Sequence, residues 1–176
     1  MTFSELCQKR ESCRSFCDKA VEREKLDSIL ASVRIAPSAC NSQPWHFTVA
    51  TVESAKKIAA CTHELGMNKF TDDCPVLIVI NEEEATLSAR LGGAVKKQQY
   101  AEMDIGIAAA TIAYAATDLG LSTCILGWFN EQQIKQTIGI SEDKRVRLII
   151  ALGYAASDTL RDKKRKELDE IVTFME

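Results

Sequence analysis

The chain has 176 residues, of which 46% are hydrophobic, a length and composition that argue for a globular domain and against disorder. Its 22 basic and 25 acidic residues give a net charge of −3, which argues against binding nucleic acid through overall charge. A site for an anion must therefore be built from local basic clusters.

Helices and strands are predicted in irregular alternation along the chain. In chain order, the patterns predict a helix at 3–9, a helix at 22–35, a strand at 46–51, a helix at 53–64, a strand at 76–80, a helix at 101–119, a strand at 122–128, a helix at 131–138 and a strand at 146–154. Thr2 and Glu5 form a capping box that indicates the first helix. Residues 82–97 give no clear prediction, since Gly92 and Gly93 interrupt any helix there.

The helix predicted at 101–119 is rich in alanine and apolar on nearly all sides. Such a helix must be buried over most of its surface. Two places would bury it, the centre of the domain or an interface between subunits.

These elements predict one α+β domain over residues 1–176. The chain has no repeat or linker, and no G-x-G-x-x-G motif follows a strand, so a Rossmann dinucleotide site is not supported. The sequence has no apolar core of a signal peptide and no run of about 20 apolar residues. We therefore expect a cytoplasmic protein without membrane contact.

The seven cysteines are predicted to be mostly reduced and to serve in packing. Their number is odd, and no C-x-x-C pair is present. Because His46 and His63 stand far from matching cysteine spacings, no metal site is expected.

Two short segments are candidates for binding an anion. The N-terminal basic segment, residues 10–14 (RESCR), offers charged and hydroxyl hydrogen bonds just after a helix. The C-terminal basic segment, residues 163–166 (KKRK), places Lys163 and Arg165 on one side if it is extended. A solvated loop and a basic tail are the structural alternatives.

The amide-rich loop, residues 36–47 (APSACNSQPWHF), lies between a predicted helix and a predicted strand. Asn41 and Gln43 each carry a donor and an acceptor, which suits the edge of a heterocycle or the hydroxyls of a sugar alcohol. Local capping by Ser38 and Asn41 is the alternative, and Trp45 is expected in the core. Together with the basic segments, the loop suits a phosphorylated polar heterocycle.

In this order, the segments resemble the nitroreductase family of FMN flavoproteins. Beyond residues 10–16 and 36–45, the resemblance rests on CPVLIV at 74–79, DIGIA at 104–108, GLSTCILG at 120–127 and RKELDEIV at 165–172. Single motifs are weak, whereas the ordered set spans nearly the whole chain and is specific. The resemblance implies a nitroreductase-like α+β fold, with a mixed, mainly antiparallel sheet flanked by helices, in an intertwined homodimer.

The cofactor-binding residues implied by the resemblance fall into three sets. Those near the FMN phosphate and ribityl chain are Arg10, Glu11, Ser12, Lys163 and Arg165. Those near the isoalloxazine ring are Arg14 at the N1/O2 edge, and Leu126 and Gly127 close to N5. Those contributed by the partner subunit's loop are Pro37, Ser38, Ala39, Asn41 and Gln43.

The chain departs from the family pattern in three ways. Glu11 stands where many relatives carry a basic or aromatic residue, and Glu167 replaces a usual proline. The middle of the chain is also short, so the helices that shape the substrate pocket in larger members are reduced or absent. The cofactor assignment survives these departures, whereas the acceptor is left open.

The predicted activity is an FMN-dependent oxidoreduction. NADH or NADPH gives a hydride to flavin N5, and a nitroaromatic, a quinone or a similar acceptor is reduced in the same place, in ping-pong turnover without a catalytic side chain. Arg14 would stabilise the reduced flavin. The alternatives are an activated alkene or a halogenated aromatic as the acceptor, or a flavin carrier or sensor without turnover.

Overall fold

The computed structural model describes residues 1–175, which form six α-helices and four β-strands. The helices are α1 (Phe3–Lys9), α2 (Arg23–Arg34), α3 (Glu53–Ala60), α4 (Leu87–Lys96), α5 (Tyr100–Asp118) and α6 (Glu131–Ile138). The strands are β1 (Trp45–Thr51), β2 (Val76–Glu82), β3 (Ser122–Leu126) and β4 (Val146–Gly153). Within residues 1–175, no helix combines the length and the apolar character needed to cross a membrane.

The four strands form one antiparallel sheet in the order β1-β2-β4-β3. In the inner strand β2, Ile78 lies opposite Val49 of β1 on one side and Ile150 of β4 on the other. The one parallel pairing among the described residues is an isolated bridge between Ser12 and Thr123. The sheet is therefore mainly antiparallel, as predicted.

Helices cover both faces of this sheet. Helices α2 and α5 pack on one face, where Ile112 of α5 and Ile150 of β4 belong to the same core. Helices α3 and α6 pack on the other face, where Ile134 of α6 and Ile149 of β4 belong to a second core. The neighbours Ile149 and Ile150 serve different cores because side chains alternate along a strand. This arrangement confirms the predicted α+β class.

Helix α5 is buried on only one of its faces within a single chain. Ile105 and Ile112 are fully buried against the sheet and α2, whereas Met103 and Ile107 keep 51% and 40% of their surface exposed. The predicted burial on nearly all sides is therefore not reached in one chain, because the sheet covers one face of the helix.

The sequence prediction was wrong at helix α4, which runs through Gly92 and Gly93 without interruption. A Cβ atom at Gly93 would lie 2.8 Å from the carbonyl oxygen of Gln98. Glycine is therefore required by the close approach of the following turn, and its low helix propensity is overridden by packing.

Two other elements end earlier than predicted. Helix α3 ends at Ala60, because the backbone N–H of Thr62 bonds to the carbonyl of Ala59, a tighter turn than the α-helix makes. Strand β3 ends at Leu126 rather than at Trp128, whose carbonyl oxygen accepts a side-chain N–H of Asn68 at 2.9 Å. The capping box of α1 is confirmed.

Candidate functional site

The N-terminal basic segment lies along the outer edge of strand β3. Ser12 bridges to Thr123, and the backbone N–H of Cys13 donates to the carbonyl oxygen of Thr123 at 2.9 Å. Cys13 is buried, whereas Arg14 is exposed. Because side chains alternate in an extended segment, Arg10, Ser12 and Arg14 share the side opposite Cys13. Two guanidinium groups and a hydroxyl on one side suit an anion.

The C-terminal basic segment reaches the same place through Lys163. Its ammonium group donates to the carbonyl oxygen of Arg10 at 2.9 Å and also to that of Gln8. Arg165 is exposed, and its guanidinium donates to the carbonyl oxygen of its neighbour Lys164. Of the two predicted C-terminal residues, the structure therefore brings only Lys163 into contact with the N-terminal basic segment.

Arg161 also contacts this segment, although no sequence motif marks it. Its Nη2 atom donates to the carbonyl oxygen of Ser12 at 2.5 Å, and its Nε atom lies 3.6 Å from a carboxylate oxygen of Glu11. The backbone N–H of Arg161 donates to the same carboxylate oxygen at 3.2 Å. Glu11 is therefore paired with a cation that the sequence patterns did not identify.

The amide-rich loop has an unusual backbone. Cys40, Asn41 and Gln43 have φ angles of 51°, 50° and 46°, a left-handed conformation that residues other than glycine rarely adopt. The hydroxyl of Ser38 accepts the backbone N–H of Gln43 at 2.9 Å, and the side-chain amide of Gln43 donates to that of Asn41 at 3.1 Å. Such strained backbone persists only where its surroundings fix it and is common at functional sites.

Asp104 of helix α5 anchors the amide-rich loop. Its carboxylate accepts the backbone N–H of Ala39 at 3.0 and 3.1 Å, and the side chain is only 5% exposed. On the other side of the loop, the hydroxyl of Ser42 accepts the backbone N–H of Thr86 at 2.7 Å. The sequence showed Asp104 in a family motif but gave no sign of its role as an anchor. Pro37 is exposed just before the anchored residues.

The end of strand β3 presents an open backbone. Leu126 is buried, whereas Gly127 is exposed, and no heavy atom within residues 1–175, apart from its chain neighbours, lies within 4 Å of a Cβ built there. The indole N–H of Trp128 donates to the carbonyl oxygen of Glu64 at 3.1 Å, which helps to hold the chain after Gly127. The backbone at Gly127, directly after the buried Leu126, is thus accessible to a flat ligand.

The basic segment and the amide-rich loop lie apart within one chain. The loop is anchored near the start of α5 by Asp104, whereas α1 packs farther along, where the rings of Phe3 and Tyr114 have centroids 5.5 Å apart. A hydrogen bond with Cys7 and burial raise the pKa of Tyr114, and the nearby guanidinium of Arg10 opposes this rise. Asp104 and Tyr114 are separated by about 15 Å along the helix axis.

The cysteines of residues 1–175 are all free thiols. Burial raises the pKa of Cys13, Cys74 and Cys124, for Cys74 to about 12, which keeps these thiols protonated near neutral pH. Cys40 in the amide-rich loop is exposed. Within the described residues, no three His, Cys, Asp or Glu side chains are grouped to hold a metal ion.

A family model described as the nitroreductase family matches residues 7–154. The chain belongs to the nitroreductase family. Human iodotyrosine deiodinase 1 is 26% identical over 97% of the chain and 67% of the deiodinase. The Bacillus subtilis protein YodC, whose name assigns it provisionally to the NAD(P)H nitroreductases, is 26% identical over 88% of the chain and 89% of YodC.

A solved nitroreductase has the same fold. This FMN-dependent nitroreductase from Clostridium difficile R20291 is 26% identical, with a TM-score of 0.74 over 96% of each chain. The findings confirm the predicted fold and enzyme class, so the protein is an FMN-dependent oxidoreductase that uses NADH or NADPH.

The chemistry of the donor set fits FMN. A phosphate requires cationic and hydroxyl donors, which Arg10 and Ser12 carry on the N-terminal basic segment and Lys163 supplies from the C-terminal basic segment that contacts it. The flat ring requires an accessible backbone, which Gly127 offers, and amide groups for its polar edges, which the loop offers. The separation of the loop from the basic segment means that one chain alone does not bring all these groups together.

Proposed function

We propose that the protein is a homodimer with two composite FMN sites, which reduces a nitroaromatic, a quinone or a similar small-molecule acceptor with NADH or NADPH. The whole chain, residues 1–176, serves as one FMN-binding domain. The observation that carries this proposal is the position of the N-terminal basic segment and the amide-rich loop at different points along α5. A second copy supplies the missing half of each site.

The exposed apolar helix faces support the dimer. Met103 and Ile107 of α5 are exposed, and α4 beside it exposes Leu87, Leu91 and Val95 at helical spacing. Apolar faces of this kind mark interaction surfaces, and an obligate interface buries more than about 2,000 Å². If α5 pairs antiparallel with its copy about a two-fold axis, the loop of one subunit meets the basic segment of the other.

The C-terminal end of the chain supports an intertwined arrangement. Leu168, Ile171 and Phe174 expose 67%, 63% and 85% of their surface, and the outer edge of strand β1 is unpaired in the described chain. An exposed apolar segment and an open strand edge are the two halves of a strand-addition contact. A second copy of the chain would bury both.

Each predicted residue keeps one role in this proposal. The phosphate and ribityl chain are held by Arg10, Ser12 and Lys163, with Glu11 beside them and Arg165 brought in by the dimer. Leu126 and Gly127 would bind the ring, and Arg14 would lie at its N1/O2 edge. The partner's loop covers the ring with Pro37, Ser38 and Ala39, and directs Asn41 and Gln43 to polar edges.

When bound, FMN supplies the transfer of a hydride from NADH or NADPH to the acceptor. The residues of the chain bind and orient the ring. The guanidinium of Arg14 would place positive charge at the edge of the ring that gains negative charge on reduction, and would so favour the reduced ring. The open backbone at Gly127 leaves room for a substrate beside the ring. No side-chain nucleophile is required.

Two acceptor classes have support from particular relatives. The name of YodC favours a nitroaromatic acceptor, and the likeness to iodotyrosine deiodinase 1 over 97% of the chain favours a halogenated aromatic as the second candidate. Both are aromatic rings that a flat flavin site accepts by stacking.

The test is spectroscopic and kinetic. The purified protein should show flavin absorption near ~375 and ~450 nm, and it should oxidise NADH or NADPH faster when a nitroaromatic, a benzoquinone or 3-iodotyrosine is added. Arg10→Ala should lose FMN, whereas Arg23→Ala, which changes an exposed arginine of α2, should retain it. Absence of flavin, or bound flavin without acceptor-dependent oxidation, would contradict the proposal.

A further inference from the structure

The C-terminal arm, residues 158–166, is attached to the N-terminal basic segment at two neighbouring points. Lys163 is bound by backbone carbonyls, and Arg161 is bound by Glu11 and by the carbonyl oxygen of Ser12. The carboxylate of Glu11 makes two contacts with Arg161, one to its backbone N–H at 3.2 Å and one to its guanidinium at 3.6 Å. These contacts join residues 150 positions apart in the sequence.

Glu11 is the one acidic residue of the N-terminal basic segment, whose other charged residues, Arg10 and Arg14, are cations that suit an anion site. A carboxylate beside a bound phosphate repels it, so Glu11 would oppose FMN binding if it stood alone. Its side chain is only 19% exposed, compared with 58% for Arg161, so water screens the carboxylate incompletely. Its pairing with Arg161 removes this repulsion and at the same time fixes the arm.

We propose that Glu11 and Arg161 form a clasp that positions the C-terminal arm, so that Lys163 lies beside Arg10 and Ser12 at the FMN phosphate. This inference rests on the proposed FMN site. Glu11 and Arg161 are positioning residues in it, and neither is a ligand of the phosphate. The clasp also explains why an acidic residue is tolerated at position 11, since its charge is compensated within the same chain.

The first test measures the clasp without FMN. Amide hydrogen exchange at Arg161 in the FMN-free protein should be faster by about tenfold in Glu11→Gln, because the backbone N–H loses a charged acceptor. Glu24→Gln, an exposed change in helix α2, is the matched control and should leave the exchange unchanged. Equal exchange rates in Glu11→Gln and the control would overturn the clasp.

The second test measures FMN dissociation constants for the wild type, Glu11→Gln, Arg161→Gln and the double variant. Glu11→Gln and Arg161→Gln should each weaken FMN binding, Arg161→Gln by about tenfold because the charge of Glu11 is then also uncompensated, and the double variant should bind no more weakly than Arg161→Gln. If Glu11 and Arg161 act independently, their two losses will add in the double variant, and the clasp is overturned.

Exchanging the two charges tests the clasp separately from the proposed FMN site. The variant Glu11→Arg with Arg161→Glu should restore FMN binding relative to either single reversal, since the opposite charges again attract. A wild-type chain that binds no FMN would overturn the proposed function and the role of the clasp together. A chain that binds FMN without coupling between positions 11 and 161 would overturn the clasp alone.

Discussion

The carboxylate of Asp104 accepts the backbone N–H of Ala39 with both of its oxygens, at 3.0 and 3.1 Å, and so joins the amide-rich loop to helix α5. Asp104→Ala leaves this N–H without its partner, and we expect a loss of about 1.5–3 kcal/mol in the free energy of unfolding, with weaker FMN binding. Asp104→Asn keeps a neutral acceptor and should lose less. Urea unfolding and FMN titration measure both effects. Asp118→Ala, at the exposed end of the same helix, is the control, and an equal effect of both alanine variants would disprove the anchor.

The exposed face of α5 predicts the effect of a charge at the proposed subunit interface. Ile107→Glu should convert the dimer to a monomer and release FMN, because a buried unpaired carboxylate is strongly unfavourable. Ala60→Glu places the same charge on an exposed position of α3, across the sheet, and should leave the dimer intact. Light scattering of both variants at micromolar concentration provides the measurement. A stable Ile107→Glu dimer would exclude this face as the interface.

Arg14 and Lys163 are expected to act differently on the cofactor. The phosphate carries the same charge in both redox states, so Lys163→Ala should weaken FMN binding by about 1.5–3 kcal/mol and leave the reduction potential nearly unchanged. Arg14→Ala should lower the reduction potential and slow hydride transfer, because its charge favours the reduced ring. Spectroelectrochemistry on fully loaded variants separates the two roles. The reverse pattern would mean that the roles are exchanged.

The buried thiol of Cys74 predicts a loss of stability at high pH. Burial raises its pKa from 9.0 to about 12 in the folded chain, so the folded state holds the proton more tightly than the unfolded state. The resulting stabilisation is complete below pH 9.0 and is lost as the pH rises from 9.0 toward 12. Between pH 8 and pH 10.5, the wild type should lose about 2 kcal/mol more than Cys74→Ala. Equal losses in urea unfolding would show that Cys74 is not protected in this way.

The sequence allowed the prediction of features that depend on local patterns and on the order of motifs. Helical spacing located α2, the capping box of Thr2 and Glu5 located the start of α1, and Asn130 located the start of α6. The ordered motifs predicted the family, which the matched region 7–154 confirms. Local hydrogen bonds and side-chain periodicity determine where these helices begin and lie, so a single sequence is enough to predict them.

Features that depend on distant residues were not predicted. The contact of Asp104 with Ala39 spans 65 positions, and that of Arg161 with Glu11 spans 150, so neither has a local pattern. Helix α4 was missed for a related reason. Gly93 is needed there because the backbone of Gln98 packs closely against it, and this contact is not visible in the low helix propensity of glycine. The assignment of residues to FMN stays a prediction.

The central claim is that each FMN site combines the N-terminal basic segment of one subunit with the amide-rich loop of the other. The direct measurement is FMN stoichiometry in a heterodimer, purified through two different tags. One subunit carries Arg10→Ala with Ser12→Ala, and the other carries Asn41→Gly with Gln43→Gly, since glycine accepts the left-handed backbone there.

In this heterodimer, composite sites place both defects in one site and leave the other site wild type. We therefore expect one tightly bound FMN per heterodimer, with close to wild-type affinity, whereas both parental homodimers bind weakly. If each subunit instead carried a complete site of its own, every site in the heterodimer would contain one defect. Two weak sites and no tight one would contradict the claim.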